Sequence, residues 1–338
     1  MRKLVLLSVC AILALPAAGQ TTVNGAGATF PNPMYSKWFS EYHKLHPEVQ
    51  VNYQPIGSGG GIRQVTEATV DFGASDMPMT NDQLKAAQAK LNTPVLNIPT
   101  VLGAVVPAYN IPGVSGEVKF TPELLAGIFL GKISNWSDPA IAKANPDLKF
   151  PSQEIVVVHR SDGSGTTFIW TDYLSKVSPD WKSQVGADTA VKWRKGLGGK
   201  GNDGVAGSIR QLPGSIGYVE LIYAVQNRIA YGSVRNASGA FIKASLESVT
   251  AAAASAPKMP ADFRVSITNA PGKDAYPICS FTWLLIPQQS KDPNKGKILA
   301  QFLNWMVTDG QKMTAALTYA PLPENVAAKV KEAISQVK

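Results

Sequence analysis

Three turns in this sequence share one composition, and each could hold an anion. They are Gly27-Ala28-Thr29-Phe30, Gly57-Ser58-Gly59-Gly60 and Asp162-Gly163-Ser164-Gly165-Thr166. Each follows a strand pattern and opens a helical one. The first N–H groups of a helix have no internal partner, and the helix dipole adds positive potential there. Glycine lets the backbone approach a guest closely, and small hydroxyls add donors without bulk. Ser and Thr also cap ordinary helices, so one such turn carries little weight. Three in one chain, with Arg160 just ahead of the third, carry more. The named nucleotide patterns do not fit. Gly57 to Arg63 lacks the P-loop spacing, and Gly25 to Phe30 lacks the last glycine of the dinucleotide fingerprint. The guest expected is a small anion.

Other chemistry is less well supported. Ser164 could be imagined as a nucleophile with His159 as its base. Asp162 and Thr166, however, occupy the outer positions of a G-x-S-x-G elbow. His43 and His46 are three apart on a polar helix face with no further ligands beside them. Cys279 lies in an apolar stretch and reads as a small core residue. None of the seven tryptophans falls within the turns, which argues against a sugar-binding cleft. The formal charge is +8, yet the basic residues are scattered; the densest stretch is Lys192-Trp193-Arg194-Lys195. A nucleic-acid footprint needs them clustered on one face, so no nucleic-acid partner is expected. Catalysis, a cofactor and a metal are likewise not expected.

The elements that must position these turns alternate. Strand patterns cover Thr22–Asn24, Val49–Gln54, Val70–Ser75, Val95–Ile98, Leu102–Tyr109, Ile155–Val158 and Phe281–Ile286. Between them the spacing predicts helices over about Met34–Leu45, Ile62–Ala68, Asn81–Lys90, Thr166–Leu174, Lys295–Asp309 and Pro323–Val337. Thr121-Pro122-Glu123 is a helix start, with a hydroxyl cap, proline at the first position and an early carboxylate. Helix and strand signals continue through Ile216 to Val225. Such alternation predicts an α/β fold with mostly parallel sheets. At 338 residues and 45% hydrophobic, the chain can fill about two cores.

The first nineteen residues read differently. Arg2 and Lys3 precede an apolar run from Leu4 to Leu15, and Pro16 and Ala17-Ala18-Gly19 follow. This is the layout of a secretory signal peptide, so a periplasmic protein is expected. Cys10 sits mid-run, away from a lipoprotein cysteine's place, so lipid anchoring is not expected. Cleavage would remove Arg2 and Lys3, lower the charge from +8 to +6, and leave Cys279 as the one cysteine.

Taken together, the motifs resemble those of the phosphate-binding proteins of bacterial phosphate ABC importers, a class II periplasmic-binding-protein family. The resemblance is carried by Gly25-Ala26-Gly27-Ala28-Thr29-Phe30-Pro31, Ile56-Gly57-Ser58-Gly59-Gly60-Gly61, Asp71-Phe72-Gly73-Ala74-Ser75-Asp76 and His159 to Thr166. Gly131 to Trp136, Gly201-Asn202-Asp203-Gly204-Val205 and Gly214 to Glu220 add to it. It runs in order along the whole mature chain. It implies an α/β, two-lobed fold with a two-crossing hinge, each lobe a mostly parallel sheet flanked by helices. The expected division is 20–104 and 277–338 for the first lobe and 105–276 for the second, after the signal peptide at 1–19. The implied phosphate-binding set is Thr29, Phe30, Ser58 and Asp76 from the first lobe, flanked by Ala28, and Arg160, Ser164, Gly165 and Thr166 from the second. Asp162 would support Arg160, and Asp76 would accept a hydrogen bond from a protonated phosphate, which sulfate cannot supply. The implied partners are inorganic phosphate and the importer's membrane permease subunits, met by a monomer. Two alternatives stay open on these residues: an importer subunit for another oxyanion, and a phosphate scavenger with no importer.

Overall fold

The computed structural model describes residues 20–338. The expected signal peptide, 1–19, lies outside the described residues. A nine-stranded sheet organises the chain. Along it the strands run Val49–Gln54, Thr21–Gly27, Phe72–Ser75, Cys279–Pro287, Val95–Asn110, Ser215–Glu220, Val156–Arg160 and Leu197–Gly199. The short strand Ala230–Tyr231 pairs beside Val95–Asn110. A separate small sheet joins Phe241–Ile242, Ser233–Arg235 and Lys119–Phe120.

The outer pairs are parallel, with helices as crossovers, as the alternation predicts. The centre is not parallel. Cys279–Pro287 runs antiparallel to both Phe72–Ser75 and Val95–Asn110, and Val95–Asn110 runs antiparallel to Ser215–Glu220. These two long strands belong to both ends of the sheet. Val95–Asn110 pairs with Cys279–Pro287 as far as Ala104↔Cys279, then with Ser215–Glu220 from Val105↔Glu220 onward. The chain therefore changes partners between residues 104 and 105.

Val95–Ile98 and Leu102–Tyr109, expected as separate strands, form one strand of 16 residues. Pro99 prompts that separation, since proline has no N–H for the ladder. The structure accommodates it with a bulge: Thr282 pairs with Val101 and Trp283 with Pro99, so Thr100 is the extra residue. Thr100 Oγ1 donates to Thr282 O at 3.2 Å, a bond proline cannot make.

The sheet is buried by helices. Asn32–Leu45 begins after Pro31 and has Pro33 in its first turn; it inserts Met34, Tyr35, Trp38 and Tyr42 into the core. Thr121 caps Pro122–Phe129 through its side chain, as the sequence predicts. Helices outside the predicted set include Gly201–Gln211, which carries four glycine or serine positions, and the alanine-rich Leu246–Ser255. Five tryptophans, at positions 38, 136, 170, 181 and 283, are fully buried. They belong to the core, and so does Cys279, as expected for the latter. Among the described residues no helix is long and apolar enough to cross a membrane.

Candidate functional site

The three glycine-hydroxyl turns meet where the two ends of the sheet face each other. Each stands at the end of a strand. Thr21–Gly27 delivers Ala28-Thr29-Phe30, Val49–Gln54 leads to Gly57 and Ser58, and Val156–Arg160 delivers Arg160 and the turn after it. Phe72–Ser75 ends one residue before Asp76. Gly57 sits at φ 91°, a conformation only glycine adopts readily, and precedes the helix Ser58–Thr66. Ser164 caps the helix Gly165–Val177.

Hydrogen bonds cross between the two sides. Gly59 N–H donates to Gly163 O at 3.0 Å, and Gly165 N–H to Ser58 Oγ at 3.0 Å. Tyr223 Oη donates to Thr29 O at 2.6 Å. Gly165 is glycine because its backbone faces the opposite wall. A methyl there would lie 2.5 Å from Ser58 Oγ and 2.6 Å from Asp76 Oδ2.

The chemistry of this junction is almost entirely that of donors. Arg160 is buried with its guanidinium held by Asp162, Nε to Oδ1 at 2.8 Å and Nη2 to Oδ2 at 2.5 Å. Gly201 N–H also donates to Asp162 Oδ1, at 3.0 Å. Burial disfavours the Asp162 carboxylate, but these partners outweigh it and hold its pKa below the usual range. The fork of Arg160 is fixed, and its Nη1 lies 3.4 Å from Thr166 Oγ1. Ser164 Oγ accepts from Thr167 N–H at 3.0 Å, which leaves its own O–H to donate. The N–H groups of Thr29 and Phe30 take no backbone partner among the described residues. Ala28, expected to flank these donors, has its N–H taken by Ala74 O at 3.0 Å. It fixes the turn and has no donor to offer a guest.

Asp76 faces these donors with no salt-bridged cation of its own among the described residues. It is 1% exposed. Thr282 Oγ1 donates to its Oδ1 at 2.7 Å, and Ser58 Oγ lies 3.4 Å from its Oδ2. Burial pushes its pKa up to about 7, against the opposing pull of Thr282, Arg160 and Ser58.

The sequence signal missed three contributors. Thr282 comes from the returning strand and orients Asp76. Asn202 bridges Thr29 and Thr166, 2.8 and 3.1 Å from its Nδ2. Glu220 is fully buried where the second long strand begins a new pairing, and burial raises its pKa well above the ordinary value. Asn202 and Glu220 lie in motifs that the resemblance rests on, but a motif alone assigns them no task.

The weaker candidates come apart. His159 Nδ1 bonds to Arg160 O at 3.0 Å, and its ring stacks on Trp193. Burial lowers its pKa. Ser164 bonds to Thr167 instead of His159, so no nucleophile–base pair is assembled. His43 Nδ1 bonds to Val49 O, and the His46 ring packs tilted against Tyr42. Among the described residues, no group of three His, Cys, Asp or Glu side chains is placed to hold a metal.

A split α/β sheet with a donor-lined junction between its halves defines a solute-binding protein. Residues 14–310 match the PBP superfamily domain. The phosphate-binding protein PstS of Xylella fastidiosa (strain Temecula1) is 46% identical over 320 residues, 93% of this chain and 86% of that protein. PstS of Haemophilus influenzae is 46% identical over 319 residues, 94% of this chain and 93% of its own. In fold, the chain is similar to a solved phosphate-binding protein from Stenotrophomonas maltophilia. The TM-score is 0.71 at 20% identity, over 92% of this chain and 93% of that one. The chain belongs to the PstS family of phosphate-binding proteins, within the PBP superfamily.

Proposed function

We propose that this protein captures inorganic phosphate between two lobes and delivers it to the membrane permease of an ABC importer. It binds and does not transform its ligand. The first lobe is 20–104 with 277–338, and the second is 105–276. The ligand groups are Thr29, the Phe30 N–H, Ser58 and Asp76 on one side. Arg160, Ser164, the Gly165 N–H and Thr166 face them from the other. The close relatives named as phosphate-binding proteins support this reading, and so does the chemistry of the junction.

The observation that carries it is the lone acceptor. A site made only of N–H and O–H groups would take any tetrahedral oxyanion. Ionised Asp76 accepts hydrogen bonds and cannot donate them. With Oδ1 occupied by Thr282, Oδ2, which Ser58 Oγ reaches only at 3.4 Å, is the atom to accept the P–OH of a protonated phosphate. Sulfate has no such hydrogen, so wherever Asp76 is ionised its oxygens would meet a carboxylate oxygen in a dry site, at a cost of several kcal/mol. Arg160 supplies the fixed cation that the anion meets, and Asp162 offsets its charge. Neutral dipoles then carry much of the ligand's charge, and charge-assisted bonds of ~1.5–3 kcal/mol each readily reach micromolar binding or better.

The mature protein works in the periplasm, with residues 1–19 as its signal peptide. Titration calorimetry of the purified mature chain with phosphate, and with sulfate as competitor, tests the reading. Tight phosphate binding in excess sulfate is expected. Equal affinities would overturn it.

A further inference from the structure

We infer that Asn202 is a positioning residue that turns the Thr29 and Thr166 hydroxyls into obligate donors toward the ligand. This rests on the phosphate-binding reading above. Asn202 is fully buried in the first turn of Gly201–Gln211, in a motif to which no role was assigned. Its amide orientation is fixed by its surroundings. Glu220 N–H donates to Oδ1 at 2.9 Å, so Nδ2 faces the two threonines. That –NH2 has two hydrogens and two acceptors, Thr29 Oγ1 at 2.8 Å and Thr166 Oγ1 at 3.1 Å.

A hydroxyl has two lone pairs and one hydrogen. At Thr29, a second N–H, from the Asn202 backbone, reaches Oγ1 at 3.3 Å. At Thr166, Arg160 Nη1 reaches Oγ1 at 3.4 Å. Both lone pairs of each oxygen therefore face N–H donors, and each hydroxyl keeps only its hydrogen to give. A free hydroxyl rotor could present either a lone pair or a hydrogen to an anion. Here Asn202 excludes the repulsive choice on both sides at once. Thr29 belongs to the sheet end that carries Asp76, whereas Thr166 and Asn202 belong to the other. The Asn202–Thr29 bonds therefore also join the two sides when they close.

The test is a mutant cycle read by phosphate calorimetry. Asn202→Ala is expected to weaken phosphate binding about tenfold to a hundredfold. In a Thr29→Val, Thr166→Val background, where no hydroxyl is left to orient, the same substitution should change affinity less than threefold. An equal loss in both backgrounds, or no loss in the parent, overturns the inference. Asn202→Ser keeps an acceptor for Glu220 N–H but cannot reach both threonines. It should behave like Asn202→Ala, which keeps the test sound if the alanine variant folds poorly. A ligand-independent reading separates the two proposals. The Asn202 side-chain amide signals in a nitrogen-15 spectrum should shift on Thr29→Val and on Thr166→Val, and unmoved signals would overturn the inference. A parent that bound no phosphate would sink the functional reading alone.

Discussion

Replacing Asp76 by Asn tests the selectivity argument most directly. The side chain keeps its size and loses its charge. Thr282 Oγ1, which donates to Oδ1 at 2.7 Å, should keep the amide oxygen on its side. The amide –NH2 then faces the ligand, so the lone acceptor becomes a donor. The magnitude follows from what sulfate must do in the parent. It can enter only once the carboxyl is protonated. In the closed junction burial puts that pKa at about 7. At pH 8.5, 1.5 units higher, protonation costs about 2 kcal/mol, and the protonated fraction is about 3%. If the lobes open without ligand, water returns the group toward its ordinary value of about 3.9, and the cost rises to about 6 kcal/mol. Asp76→Asn removes this term, so at pH 8.5 the phosphate-to-sulfate affinity ratio should fall at least about thirtyfold. Calorimetry of both anions on parent and variant measures it, with thermal unfolding as the folding control. A well-folded variant whose ratio changed less than threefold would refute the reasoning.

Acidification should imitate the substitution: as pH falls from 8.5 through about 7, Asp76 gains its proton and parent sulfate affinity should rise, while Asp76→Asn shows no such rise. The same group links stability to pH. Its folded pKa is raised, so it favours the folded state most below the unfolded value and loses that contribution as pH rises through about 7. In the closed form Asp76→Asn should therefore gain on the parent by up to about 4 kcal/mol between pH 4 and pH 8, whereas a ligand-free protein that opens should show little of this gain in urea titrations at each pH. Arg160→Lys should weaken phosphate binding by at least about tenfold, because an ammonium cannot hold both Asp162 and an anion in fixed geometry. Gly165→Ala should nearly abolish binding while barely moving ligand-free thermal stability, since its methyl collides with Ser58 and Asp76 only when the two sides meet. Small-angle scattering should show a smaller radius of gyration with phosphate than without it; an unchanged radius would count against lobe closure.

Much of the site is local and so was legible. A turn that opens a helix shows its hydroxyls and glycines within a few residues, and Gly27–Phe30, Gly57–Gly60 and Asp162–Thr166 announce donors without any tertiary knowledge. Asp162 lies two residues from Arg160, so that pair too is within reach of the sequence. Ala28 shows the limit. It stands inside a donor-rich turn, but the neighbouring strand takes its N–H, and only the sheet pairing reveals this.

Sequence by itself determined the alternating α/β pattern, the small anionic guest and the residue types that line its proposed site, because these depend on near neighbours and on period. Tertiary structure alone decided which strands are shared. Val95–Asn110 runs through Pro99 because a bulge at Thr100, set against Thr282 182 positions away along the chain, absorbs the missing N–H. It also decided that Thr282 aims Asp76 and that Asn202 sets two hydroxyls on opposite sides. Thr282 and Asn202 make ordinary local sequence. Their contacts with Asp76 and Thr29 span 206 and 173 positions, and separations of that size leave no trace in the spacing of residues.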